Sequence, residues 1–247
     1  MTVNSLTVIE MPVLGNKSSL AWHALFDLSE KVPSNWCLVG GQMVHLWCIE
    51  RGVTPNRPTD DADAVLDVRA QPTILHEVTK ALVDIGFESA GESPEGHQHR
   101  WLRGDATIDL LIPEHVGERA ADRRGVTGGT TLEARGSNQA IDRAELVTVN
   151  HDGRQALIWR PNLLGALVLK AAAYTVPLDP GVKRHLIDFA VLTTLITRRD
   201  QLAGQMSKRD RELLKNAIGA IRMDGTIIPT IDGSDLGIER LLVALSA

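Results

Sequence analysis

The hydrophobic pattern of this chain changes its period near Pro161, and this change limits the fold more than any other feature. Before it, short apolar runs bounded by Gly, Asp and Pro alternate with helical segments, as at residues 36–39 and 106–112. After it, apolar residues recur at helical spacing toward the end of the chain. The sequence therefore predicts an α+β fold, with a mixed sheet flanked by helices over residues 1–160 and a C-terminal helical bundle over residues 161–247.

Composition narrows the class of protein further. The chain has 247 residues, of which 43% are hydrophobic and 23% charged, so it can bury a sizeable core. The apolar runs fall short of the ~20 residues that a membrane span needs, and residues 1–14 lack an export pattern. Two cysteines cannot form a disulfide framework. We therefore expect a cytoplasmic protein with no membrane partner. Residues 1–112 carry 8 Lys/Arg against 15 Asp/Glu, and this acidic half of the chain argues against a simple nucleic-acid coat.

Three aspartates carry the clearest chemical signal. Asp61 and Asp63 alternate with apolar residues in a predicted strand, so their side chains share one face, about 6–7 Å apart. Asp109 stands inside another apolar strand, where an unpaired acid is costly. If the strands are neighbours, the three carboxylates form a site for Mg²⁺ or Mn²⁺ of the kind used in phosphoryl and nucleotidyl transfer. The alternative is a solvated edge strand with Asp109 ending a hairpin.

A diglycine at a strand-to-helix turn supports the first interpretation. Gly40 and Gly41 follow the apolar run 36–39 and begin a helical pattern. Glycine lets the backbone approach a triphosphate closely, and the free N–H groups at the start of a helix favour anions. A Gly-Gly pair alone is a weak signal, but its combination with the two acidic strands is specific.

These features together resemble a known family. The Gly-Gly turn, the helix after it and residues 57–63 (RPTDDAD) look like the polymerase-beta-type nucleotidyltransferase superfamily, and within it the AbiEii/AbiGii toxin group, which includes MenT-type toxins. The resemblance covers residues 36–196 and is weakest over 113–160. It implies that Asp61, Asp63 and Asp109 hold the metal and catalyse the reaction. It also implies that Gly40, Gly41 and Thr59 contact the nucleotide.

The resemblance continues only in part into the helical segment. Lys170 is similar to the phosphate-contacting Lys of the family, although a surface Lys beside an apolar helix face would show the same pattern. Asp188 matches the second acid of a Lys-Asp-x-x-Asp segment and is implied to be catalytic. His185 replaces the first acid, and Arg184 keeps the positive charge that could reach phosphate, a role open to Lys183 as well.

The function implied by the resemblance is transfer of NMP from an NTP to a hydroxyl. The implied acceptor is the 3′ end of a tRNA, and the protein would be the toxin of a toxin–antitoxin pair, with a cognate antitoxin as partner. A basic segment with Arg119, Arg123, Arg124 and Arg135 is a plausible RNA-facing surface. Two other hypotheses stay open. One is transfer to a small molecule, such as an aminoglycoside, or to a protein hydroxyl. The other is a catalytically silent module that binds nucleotide or a partner, which the His185 departure favours and the intact Asp61, Asp63 and Asp109 set argues against.

Local roles explain several other polar residues. His97 and His99 could form a metal pair across a strand, but an exposed polar hairpin explains them better. For His45, packing within its helix is a simpler role than nucleotide contact. A first helix is predicted over residues 19–30, with Ser18 or Ser19 as its cap.

Overall fold

A computed structural model describes residues 8–176 and 181–247 of the chain. Its strands are β1 (Val8–Glu10), β2 (Trp36–Val39), β3 (Asp61–Leu66), β4 (Glu88–Ser89), β5 (Arg100–Arg103), β6 (Ala106–Pro113), β7 (Leu132–Ala134), β8 (Ala144–His151) and β9 (Arg154–Pro161). Its helices are α1 (Asn16–Lys31), α2 (Gly40–Glu50), α3 (Ile74–Asp84), α4 (Glu118–Ala121), α5 (Ser137–Asp142), α6 (Leu163–Ala173), α7 (Val182–Thr194), α8 (Lys208–Asp224) and α9 (Ser234–Ser246). The predicted α+β class is confirmed.

The larger sheet is mixed and has the strand order β2-β3-β6-β5-β4, with β7 also pairing β6. Strands β3 and β6 are parallel neighbours, and their register sets Asp63 opposite Asp109. On the other side of β3, the antiparallel strand β2 sets Val39 opposite Asp63. Since β2 ends at Val39, the turn into α2 lies beside Asp63.

A smaller sheet, with the order β1-β8-β9, completes the α+β part. Helix α1 contacts both sheets and buries Trp22, Leu25 and Phe26 in the shared core. The predicted serine cap of α1 is wrong: the helix begins at Asn16 after Gly15, with no side-chain cap. The hydroxyl of Ser19 instead contacts the β8–β9 turn.

The helices that follow β9 form the predicted bundle. Helix α6 packs on α7 and α8, and α7 packs on α9. Ten consecutive residues of α6 are buried, Lys170 among them, and the side chain of Asn162 caps the helix by accepting from the Gly165 N–H at 2.9 Å. The domain boundary at residue 160 stays a prediction.

In the described parts of the chain, no helix is both long and apolar enough to cross a bilayer.

Candidate active site

A cleft of about 430 Å³ opens where the end of β2 meets β3 and β6. Most of the residues singled out from the sequence line it: Gly40, Gly41, Thr59, Asp61, Asp63, Asp109, Lys170, Arg184 and His185. Arg57, His99, Arg100, Glu133 and Arg135 also line it. Asp188 does not line the cleft and lies behind Lys170, which it contacts. The fold therefore gathers residues separated by more than 100 positions around one cavity.

Three carboxylates and one guanidinium form one side of the cleft. Arg100 on β5 holds Asp109 through two hydrogen bonds, from Nε to Oδ1 at 2.8 Å and from Nη2 to Oδ2 at 2.7 Å. The same Nη2 lies 3.8 Å from Oδ2 of Asp61. Arg100 thus neutralises part of the negative charge, while Asp63 has no partner of this kind in any described ion pair.

The electrostatics of Asp63 favour a cation. Burial, followed by the charges of Asp61 and Asp109, raises the pKa of Asp63 to about 7, although Lys170 and Arg184 act to lower it. The oxygens of the three acids are not all within 4.8 Å of one another. In the same site, Arg100 binds both carboxylate oxygens of Asp109. A hard divalent ion accepts carboxylate oxygens and would relieve this repulsion. The three acids therefore fit a metal such as Mg²⁺ or Mn²⁺ if Arg100 releases Asp109.

Replacing Asp63 with Asn is expected to stabilise the metal-free protein. Because the carboxyl has a higher pKa when folded than when unfolded, wild-type stability falls as the pH rises from about 4 to about 7 and stays low above that. We expect Asp63→Asn to raise the free energy of unfolding by roughly 1–3 kcal/mol at pH 8, with a smaller gain at pH 5. Denaturant unfolding in a chelator tests this, and an equal gain at both pH values would contradict it.

The diglycine turn is shaped by the acids beside it. Gly40 has a φ of +67°, and a Cβ on it would lie 1.7 Å from Oδ2 of Asp63. A Cβ on Gly41 would lie 2.4 Å from Oγ1 of Thr59, which itself donates to Oδ1 of Asp61 at 3.2 Å. The backbone at the start of α2 therefore approaches the acids more closely than any residue with a side chain allows.

Comparing Gly40→Ala with Gly52→Ala distinguishes the effect of the close contact with Asp63 from that of ordinary backbone strain. Gly52 provides a matched control, because it has a φ of +68° and a Cβ added to it would meet no atom within 4 Å. Both substitutions should lower the free energy of unfolding by about 1 kcal/mol, because alanine is strained in the left-handed backbone region. We expect Gly40→Ala to lower the free energy of unfolding by at least about 1 kcal/mol more than Gly52→Ala does, because its methyl group must displace Asp63. Equal losses for the two variants in denaturant unfolding would show that the contact is unimportant.

Lys170 and Arg57, which both line the cleft, share a buried ion network with Asp188. Nζ of Lys170 donates to Oδ2 of Asp188 at 2.7 Å, and each side chain is 4% exposed. Arg57 donates to the same carboxylate twice, from Nε and Nη2, both at 2.9 Å. Burial opposes ionisation of Asp188, but Lys170 and Arg57 outweigh it and hold the pKa of Asp188 below its usual value. The interpretation of Lys170 as a surface side chain is therefore wrong.

Helix α2 fixes the loop that carries Arg57 and Thr59. Nε2 of His45 lies 2.7 Å from the carbonyl oxygen of Arg57. The buried Gln42 donates from Nε2 to the Thr59 carbonyl at 3.1 Å and accepts from the indole N–H of Trp22 at 2.8 Å. His45 therefore contacts the loop and does not line the cleft.

The remaining basic and histidine candidates divide between the cleft and other contacts. Arg184 lines the cleft, whereas Lys183 reaches Thr226 at 2.9 Å and Asp224 at 3.2 Å. His97 contacts Thr130 through Nδ1 at 3.0 Å, while His99 lines the cleft. The arrangement thus favours Arg184 over Lys183 for a phosphate contact.

Sequence reasoning assigned no site role to Arg57 or Arg100. Arg57 was visible as the first residue of the RPTDDAD segment, but its partner lies 131 positions away. Arg100 could have been found from the hairpin, because a two-residue turn at 104–105 that pairs Arg103 with Ala106 also pairs Arg100 with Asp109.

Comparison with known proteins supports the class of fold. The structure is similar to that of an antigenic nucleotidyltransferase-like protein from Paracoccidioides brasiliensis, with a TM-score of 0.50 over 88% of this chain and 95% of that one, at 14% identity. At this identity the likeness concerns the fold, which is nucleotidyltransferase-like.

Two structures of ANT(2″)-Ia also align. The one in complex with adenylyl-2″-tobramycin covers 82% of this chain and 97% of its own, with 13% identity and a TM-score of 0.45. The solution structure covers 86% and 98%, with 12% identity and a TM-score of 0.43. No protein-family model matches the sequence, and no curated protein matches it.

Proposed function

We propose that this protein is a divalent-metal-dependent nucleotidyltransferase that moves NMP from an NTP to a hydroxyl acceptor. The observation that carries the proposal is the alignment of Asp63 with Asp109 on neighbouring strands, beside Asp61 and a diglycine turn, in a nucleotidyltransferase-like fold. A nucleotide is about the right size for the 430 Å³ cleft.

Asp61, Asp63 and Asp109 would hold Mg²⁺ or Mn²⁺, which would supply charge neutralisation for the triphosphate when bound. The N–H groups of Gly40 and Gly41 at the start of α2 would bind phosphate oxygens, with Thr59 beside them. Lys170 and Arg184 would add positive charge from the helical side of the cleft. Asp188 would position Lys170 and Arg57 rather than touch the substrate.

In the reaction, the acceptor oxygen bonds to the α-phosphorus and the bond from that phosphorus to the leaving pyrophosphate oxygen breaks. Asp109, once released from Arg100, accepts the proton of the acceptor hydroxyl. Positioning of the two reactants and stabilisation of the developing charge supply most of the rate. These steps require Arg100 to release Asp109, because its Nε and Nη2 occupy both carboxylate oxygens in the structure.

For the acceptor we propose the 3′ end of a tRNA, which would make the protein the toxin of a toxin–antitoxin pair with a cognate antitoxin. The support is the resemblance of residues 57–63 to the AbiEii/AbiGii group, together with exposed arginines near the cleft. Arg135 and Arg184 line the cleft itself, and Arg119 and Arg124 are exposed. Arginine is suited to bind the phosphates of RNA.

Incubation with each of the four α-labelled NTPs and Mg²⁺ tests both the transfer reaction and the identity of the acceptor. Total tRNA, an aminoglycoside mixture and the protein alone serve as the three acceptor conditions. We expect label on tRNA with release of pyrophosphate. Label on the aminoglycoside or on protein would support nucleotidyl transfer but contradict tRNA as the acceptor. Nucleotide binding without transfer under all conditions would favour the catalytically silent module.

A further inference from the structure

A second cluster of ligand-type side chains lies where α1 meets the β8–β9 hairpin. His23 and Ser19 are four residues apart on α1 and so share one face of the helix. His151 ends β8, and Asp152 follows it in the hairpin turn. Within residues 8–176 and 181–247, His23, His151 and Asp152 form a group of three whose ligand atoms all lie within 4.8 Å of one another.

The atoms of the cluster converge on one point. Oδ2 of Asp152 lies 3.3 Å from Nε2 of His23 and 3.3 Å from Nε2 of His151. The Ser19 hydroxyl lies 2.8 Å from Nε2 of His151 and 3.2 Å from Oδ2 of Asp152. Ligands at about 2.0–2.1 Å from a tetrahedral zinc ion are about 3.3–3.4 Å from each other. The two distances from Oδ2 of Asp152 to the histidine nitrogens therefore already match those between ligands of a tetrahedral ion.

The cluster is built into the fold on both sides. His151 is 2% exposed, and its Nδ1, like that of His23, has no hydrogen-bond partner in the described structure. The polar contacts of both rings are therefore directed through Nε2 into the cluster. Asp152 and Gly153 have φ values of 49° and 75°, as in a tight two-residue hairpin turn, which holds the Asp152 carboxylate beside His151.

We propose that His23, His151 and Asp152 form a zinc site that joins α1 to the β8–β9 hairpin. Two imidazole nitrogens and one carboxylate oxygen are a donor set for Zn²⁺, with the fourth position open to water or to the Ser19 hydroxyl. This set differs from the all-carboxylate cluster of the cleft, which is suited to Mg²⁺. The site is separate from the proposed catalytic centre and does not depend on it. Binding would stabilise the folded protein by mass action.

The test is titration of chelator-treated, desalted full-length protein with ZnCl₂ by calorimetry. His23→Gln and Asp152→Asn remove ligands, and both side chains reach the surface, 24% and 57% exposed respectively. His76→Gln, at an exposed position on α3, is the matched control, and Asp63→Asn removes an acid of the cleft instead. We expect the wild type, His76→Gln and Asp63→Asn each to bind zinc at this site with similar affinity. The variants His23→Gln and Asp152→Asn should bind it at least about tenfold more weakly.

Co²⁺ supplies a second measurement that does not depend on activity. We expect visible ligand-field absorption typical of tetrahedral Co²⁺ with the wild type and Asp63→Asn, and its loss in His23→Gln. At a Zn²⁺ concentration that saturates the wild type, its Tm should rise by at least about 3 °C, and that of His23→Gln should rise by clearly less. Wild-type affinity in His23→Gln, or no zinc binding by the wild type, would overturn the site. Loss of zinc binding in Asp63→Asn alone would assign the ion to the cleft and overturn it as well.

Discussion

Replacing Asp63 with Asn is expected to lower kcat for NMP transfer by at least about 10³-fold. Asn has nearly the shape of Asp but lacks the charge needed to hold a divalent ion, and the position lies between the Gly40 turn and Asp109. Steady-state release of pyrophosphate with the accepted NTP measures the effect. We expect the loss to appear mainly in kcat, because the charge acts on the reacting phosphate.

Asp60 provides the control for this loss. It carries the same charge, lies three residues before Asp63 and is exposed. We expect Asp60→Asn to retain activity within about twofold, since surface charges away from the reacting atoms contribute little. Activity of Asp63→Asn within tenfold of the wild type would contradict the metal role. A similar loss in Asp60→Asn would point to long-range charge instead.

Replacing Asp188 with Ala is expected to cause the largest loss of stability. The substitution leaves Lys170 buried without its carboxylate and removes the two hydrogen bonds from Arg57. Breaking a buried pair by removing one partner costs about 3–5 kcal/mol. Urea unfolding measures the free energy difference, with circular dichroism to verify that the variant folds.

The exposed pair Lys80–Asp84 is the matched comparison, with side chains 58% and 47% exposed. Asp84→Ala should cost at most about 0.5 kcal/mol, as is usual for an exposed helical pair. The double variant Lys170→Met, Asp188→Leu should recover part of the loss, because no unpaired buried charge remains. A cost below about 1 kcal/mol for Asp188→Ala would contradict the buried network.

Much of the fold followed from periodicity. The alternation of Asp61, Asp63 and apolar residues placed the acids on one face. The β5–β6 hairpin turns at Gly104-Asp105, a residue pair that favours tight turns. The site depends on β3 and β6 being neighbours in the sheet, which could not be predicted from the sequence. Strand order depends on long-range packing, for which a single sequence has no local signal.

The side-chain partners were predictable only in part. Lys170 was predicted either to contact phosphate or to lie on the surface, and the structure instead buries it in α6 beside Asp188. A buried Lys requires a nearby acid, but the sequence alone does not identify which one. The cluster of His23, His151 and Asp152 joins residues about 130 positions apart with no ligand spacing in the sequence. Such sites become visible only when the tertiary structure brings a helix face to a hairpin turn.

The crystal structure of the protein with a non-hydrolysable NTP and Mg²⁺ tests the central claim most directly. We expect oxygens of Asp61 and Asp63 at about 2.0–2.1 Å from Mg²⁺, the triphosphate along Gly40 and Gly41, and Arg100 turned away from Asp109. A cleft that keeps the Arg100–Asp109 pair intact and holds neither ion nor triphosphate at saturating concentrations would contradict the account.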